Sequence, residues 1–204
     1  LHAHPAKNKS AKSWYKAMQN CNGTHARIKR FYSDRAEEII KAADRLGYAH
    51  DFATPHRPAT NGAAEAAVRR VKEGTTCQIF QANFPTSWWA EAMKCFCYLR
   101  NISDTHDDGM TAYQLRFNED FPGTIVPFGQ SCTYRPGAPR EREELHKMGA
   151  KTRQGIIVGY EQKIGGKWTE RYHIVDCQAM MEDADPAIHP IHYKDCLLYT
   201  SDAA

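Results

Sequence analysis

The chain has 204 residues, 42% hydrophobic, 25% charged and 11% aromatic, which is an ordinary globular composition and enough for one or two small domains. No apolar run approaches the roughly 18–20 residues that cross a bilayer, and the first residues lack the basic-then-apolar pattern of a signal peptide, so no membrane partner is expected. The net charge of +3 is unevenly spread: residues 1–74 carry 14 Lys/Arg against 7 Asp/Glu, residues 75–204 carry 13 against 17, and a polyanion is expected to meet the front half.

In chain order, Ser10 through Asn20 reads as a short amphipathic helix with Trp14, Ala17 and Met18 on one side. Arg27–Ser33 suits a short strand, bounded by Asp34. Ala36–Leu46 has helical spacing, with Ile39, Ile40, Ala43 and Leu46 as its buried stripe and Gly47 at its C-terminal stop. A second short strand is expected at about Ala49–Ala53, after which Thr54–Pro58 must be a loop. Asn61 caps the longest predicted helix, Ala63 to about Gln81, with Val68, Val71, Thr75 and Ile79 on one face. Pro85 breaks it, and Ser87 is placed to cap a further helix, Trp88–Asn101. Beyond the polar stretch 104–109 the apolar runs shorten, and Ile125–Tyr134, Gly155–Tyr160 and Arg171–Cys177 read as strands of a small β-rich unit.

Seven scattered cysteines form no C-x-x-C pair and have no paired His spacing. That argues against both a secreted disulfide scaffold and a structural zinc site, and for reduced thiols in a cytosolic or nuclear protein.

Two carboxylates stand where structure would make them useful. Asp34 lies just past a predicted strand, and Glu65 falls in the first turn of the long helix. Carboxylates in such places can hold divalent cations for phosphoryl transfer, and their separation of 31 positions leaves room for a helix, a strand and a returning loop. Geometry alone does not single them out among 24 acidic residues.

The surrounding residues say more. The YSD ending at Asp34 and the stretch TPHRPATNGAAEAAVRRVKEG resemble the integrase core of copia-type and related long-terminal-repeat retroelements. The resemblance continues through SWWAEAMKCFCYLRN, TAYQLRFN, VPFGQSCTYRPG and GIIVGYEQ, covering most of residues 5–194. It implies an α/β fold: residues 1–105 as a partial RNase H-like core (a mixed sheet with helices, first strands missing), 106–124 as a linker, and 125–194 as a small barrel-like β-rich unit. It also implies DNA 3′-end processing and strand transfer with two Mg²⁺ or Mn²⁺ ions, Asp34 and Glu65 being catalytic and metal-holding. The partners implied are element-end and target DNA and, in the intact protein, further copies of the chain. The implied location is the nucleus, with a cytoplasmic particle stage.

Three departures bear on this. The spacing from Asp34 to Glu65 is shorter than in retroviral integrases. Ala66 stands where the family has Arg, so that DNA contact is expected to pass to Arg69 or Arg70. The family's first Asp has no counterpart before Asp34. It is expected upstream of Leu1, which would leave this chain inactive alone. CLLYTSDAA resembles adapter read-through, so residues 195–204 are expected to be a non-native tail.

Arg69, Arg70 and Lys72 share the helix of Glu65, and as phosphate contacts they would steepen the salt dependence of binding by roughly 2–3 log units per log salt. Arg57, His56 and Asn61 belong to the loop before that helix and are expected near DNA. Glu37 and Glu38 read as ordinary first-turn acids, the pairs His2/His4 and His189/His192 as ordinary side chains, and one of Trp88 and Trp89 as core. Two other readings stay open: a non-catalytic nucleic-acid-binding remnant, favoured by the missing Asp, and a rear half that tethers the element to chromatin.

Overall fold

In the computed structural model, which describes residues 1–23, 28–53, 62–139, 142, 145, 148–183 and 185–198, the chain is a mixed α/β protein. It divides into two compact units, residues 2–73 with 162–167, and residues 74–161 with 168 onward. No helix among the described residues is long and apolar enough to cross a membrane.

In the front unit, α1 (Ala11–Asn22) starts where the Ser10 hydroxyl accepts the Ser13 N–H. Strand β1 (Arg30–Ser33), helix α2 (Glu37–Leu46) and strand β2 (Ala49–Phe52) follow. The two strands pair in parallel, from Arg30 opposite Ala49 to Ser33 opposite Phe52, so β1–α2–β2 is a crossover unit. Gly47 ends α2 in the left-handed conformation expected of it, φ 67°, donating its N–H to Ala43 and Asp44. Met18, Ile39, Ala42, Ala43 and Tyr48 form the core. Trp14, expected inside, is 36% exposed. The face of α1 that packs inward runs through Tyr15 and Met18 and leaves Trp14 at its rim.

Helix α3 (Gly62–Ala82) opens in the front unit and ends in the rear one. Its predicted stripe holds only in the second half: Thr75 and Ile79 are buried, whereas Val68 is 54% exposed. Asn83, at φ 52°, ends the helix two residues ahead of Pro85. A short 3-10 turn, Thr86–Trp88, intervenes before α4 (Trp89–Ser103), so Ser87 does not cap that helix. Trp88 is core and Trp89 is 45% exposed. Gly74 lets α4 approach α3, since a Cβ there would lie 2.1 Å from the Phe96 ring.

In the rear unit α5 (Ala112–Phe117) precedes β3 (Gln130–Tyr134), β4 (Arg153–Gln162), β5 (Trp168–Asp176), α6 (Cys177–Glu182), β6 (Ile188–His192) and β7 (Cys196–Leu198). The strands make one five-stranded sheet in the order β6-β5-β4-β3-β7. Strand β3 starts five residues later than the apolar pattern implied, because 125–129 include Pro127 and a left-handed Gly129. Hydroxyls tie this segment down instead. Tyr160 Oη donates to the Val126 carbonyl (2.8 Å) and accepts its N–H (2.6 Å), and Tyr172 Oη donates to the Thr124 carbonyl (2.8 Å). Tyr98, Tyr160, Trp168 and Tyr172 then stack into an aromatic core with neighbouring centroids 5.0–6.3 Å apart.

His173, in β5, is largely withdrawn from water. Burial lowers its pKa, with Lys94 adding to the lowering and Glu161 and Glu91 opposing it. The folded state therefore favours the neutral ring. Its contribution to stability is complete above the unfolded value of 6.5 and is lost as pH falls from there through the lower folded value. Urea melts between pH 7.5 and pH 5 should show a falling midpoint whose slope flattens in His173→Gln.

Candidate active site

Asp34 stands one residue beyond β1, exposed, where the strand hands the chain to α2. The local geometry comes from its neighbours. Ser33 Oγ donates to the Asp34 carbonyl at 2.7 Å and lies 2.9 Å from His50 Nε2. The His50 ring sits between Phe31 and Phe52, with centroids 5.0 and 4.2 Å away. The Asp34 carboxylate accepts the Ala36 N–H at 3.4 Å, a short turn that aims the chain into the helix. Of the two first-turn acids, Glu37 is taken up by Lys41 at 3.1 Å.

Glu65 lies in the first turn of α3, exposed, as the spacing implied. It lines a hollow of about 510 Å³ with Ala64, Val68, Arg69, Lys72 and Glu73. Arg69 and Lys72 are thus brought beside Glu65, while Arg70 is exposed on the same helix outside that lining. Arg57 and Asn61, with His56 and the loop they belong to, lie outside the described residues.

Asp34 and Glu65 share one compact unit. Neither carboxylate is in an ion pair among the described residues. Both are exposed oxygen donors, the chemistry a hard divalent cation takes. Among the described residues, however, no three His, Cys, Asp or Glu side chains gather into a group that could hold a metal ion. The residues present fit two of the ligands of such a site, not all of it. Sequence reasoning missed the support beneath Asp34: His50 carries no motif signal, and only the parallel register sets it across from Phe31.

A mixed α/β protein with one acid off a strand end and another opening a long helix is the class these elements define. The resemblance to a retrotransposon polyprotein holds over part of the chain, which is similar to a region of a transposon Pol polyprotein. Over 85 residues it is 32% identical to the retrovirus-related Pol polyprotein from transposon TNT 1-94 of Nicotiana tabacum, a match covering 39% of this chain and 6% of that protein. No protein-family profile matches the chain. Among solved structures, the catalytic core domain of BIV integrase is similar with a TM-score of 0.41 and 17% identity, covering 54% of this chain and 72% of that one. A chain of the simian T-cell lymphotropic virus intasome in complex with PP2A regulatory subunit B56 gamma gives 0.45 and 14%, covering 97% and 67%.

Proposed function

We propose that this chain is part of a retroelement integrase that processes the 3′ ends of element DNA and joins them to target DNA. The observation that carries the reading is the placement of Asp34 and Glu65, two exposed carboxylates outside any ion pair among the described residues, at a strand end and a helix start within one unit. The similarity to a region of a transposon Pol polyprotein supports it. Asp34 and Glu65 are the residues that would hold Mg²⁺ or Mn²⁺, together with a further carboxylate. When bound, such ions polarise a scissile phosphate and lower the charge barrier to in-line attack by a 3′-hydroxyl. Arg69 and Lys72 beside Glu65, Arg70 on the same helix, and Arg57 and Asn61 ahead of it would position the DNA backbone. The working protein would be a nuclear homo-oligomer on DNA.

The test is 3′-end processing of a labelled element-end oligonucleotide in Mn²⁺, by the integrase region expressed within its whole Pol reading frame. Glu65→Gln should lower cleavage by at least about 100-fold, since loss of a metal ligand removes several kcal/mol of transition-state stabilisation. Equal cleavage by the variant would remove Glu65 from the chemistry. A folded protein that binds DNA without cutting it would favour the non-catalytic reading, which the absence of a three-ligand group among the described residues also favours.

A further inference from the structure

The sequence puts seven Lys/Arg and no Asp or Glu into residues 1–33, and the fold gathers part of that charge into one place. Lys12 and Lys16 stand at i and i+4 on α1, and Lys41 and Arg45 stand at i and i+4 on α2. That spacing puts each pair on one helix face, with Cβ atoms roughly 5–6 Å apart. The two helices pack together, and the four side chains converge on a groove of about 560 Å³ floored by Ala11, Tyr15 and Ala42, with Gln19 on its wall. Helix α1 contains no acidic residue.

Two contacts prepare this groove for an anion. The Arg45 guanidinium stacks 4.5 Å from the centre of the Tyr15 ring, and Gln19 Nε2 donates to Tyr15 Oη at 3.0 Å, holding the ring. Stacking fixes the guanidinium plane and leaves its N–H edge free for oxygen acceptors. The carboxylate at hand is Glu37, which pairs with Lys41 at 3.1 Å with both side chains more than two-thirds exposed. Such a pair is worth little and exchanges readily for a stronger anion. Among the described residues no carboxylate pairs with Lys12, Lys16 or Arg45.

We propose that the α1–α2 groove binds the phosphodiester backbone of nucleic acid, as a second contact surface distinct from the Asp34/Glu65 site. A phosphate backbone fits better than an acidic peptide. The floor is alanine and one aromatic already occupied by Arg45, so it admits a thin charged strand and offers no pocket for apolar anchors. The contact is one of charge with phosphates: four cations line the groove, and its one amide, Gln19, already donates to Tyr15 Oη. This rests on the reading of the chain as a DNA-handling protein but not on its metal chemistry.

The test is fluorescence anisotropy of the full chain with labelled duplex DNA, single-stranded DNA and RNA of one length, across a salt series. Neutralising the groove (Lys12→Gln, Lys16→Gln, Lys41→Gln, Arg45→Gln) should weaken duplex binding at least tenfold at low salt. It should also flatten the slope of log K against log salt by roughly 2–4, at about 0.9 for each phosphate no longer neutralised. Arg45→Lys keeps the charge, so it should keep the slope while binding severalfold more weakly. Circular dichroism and urea melts confirm that each variant folds. The three labelled strands show which nucleic acid the groove prefers, and polyglutamate serves as the rival anion. Unchanged affinity and slope in the folded quadruple variant would overturn the proposal, as would polyglutamate binding the groove in preference to all three strands. If the groove variant binds like wild type while Arg69→Gln/Arg70→Gln loses affinity, the groove proposal fails and the integrase reading stands. No binding by the wild-type chain would overturn both.

Discussion

Asp176→Ala is expected to destabilise the rear unit by about 3 kcal/mol, more than a buried carboxylate of modest size would suggest. Asp176 closes β5 and is only 7% exposed. One carboxylate oxygen accepts the Gln178 and Ala179 N–H groups at 2.9 and 3.2 Å, capping α6. The other accepts the hydroxyl of Tyr134, itself 1% exposed, at 2.8 Å, with Arg153 at 3.8 Å. Losing an N-cap costs roughly 0.5–2 kcal/mol, and leaving a buried hydroxyl without its acceptor adds roughly 1–3. Asp176→Asn keeps acceptors for the cap and should cost about 1 kcal/mol. Asp176→Ala on a Tyr134→Phe background should cost less than on wild type, because the orphaned hydroxyl is gone. The urea midpoint followed by Trp168 fluorescence reads all three, and additive losses in the double variant would contradict the coupling.

Two neighbouring tyrosines should respond in opposite ways to the same substitution. Tyr160→Phe is expected to cost about 3 kcal/mol and Tyr98→Phe close to nothing, although both rings are buried and their centroids are 5.0 Å apart. Tyr160 supplies both partners of the buried Val126 peptide groups, so its loss orphans an N–H and a C=O at roughly 1–3 kcal/mol each. The Tyr98 hydroxyl is buried with no hydrogen-bond partner among the described residues, so removing it removes a desolvated polar group. Burial pushes the pKa of both phenols up strongly, so neither ionises in the neutral range. Parallel thermal melts decide the matter: equal losses would mean that the tether to Val126 contributes nothing beyond ring packing.

What the sequence made legible was local. Gly47 stops α2 because left-handed backbone there suits glycine, and the β1–α2–β2 order follows from apolar spacing bounded by turns. Helix α5 falls inside the expected linker 106–124 and was not read, although Thr111 and Gln114 form a reciprocal capping box, with the Gln114 N–H on Thr111 and Gln114 Oε1 taking the Thr111 N–H at 2.6 Å. Strand β6 was not read either, because Pro190 interrupts it. The proline is tolerated since β6 lies at the sheet edge and pairs with β5 alone. Val68 misled because helical spacing marks a face without saying whether anything covers it. At the candidate site, Asp34 and Glu65 were visible through motif and spacing, whereas the His50 support and the α1–α2 groove depend on pairing and packing between separate elements. No window of sequence holds that information.

The most direct measurement of the central claim is strand transfer in Mn²⁺, with pre-processed DNA ends of the proposed element and this chain expressed within its whole reading frame. Wild type, Asp34→Asn, Glu65→Gln and Glu73→Gln would be compared, the last a surface acid on the same helix and in the same hollow as Glu65. The account predicts joined products for wild type and Glu73→Gln, and none for Asp34→Asn and Glu65→Gln while both still bind DNA. Joining that survives either of those two substitutions would contradict it.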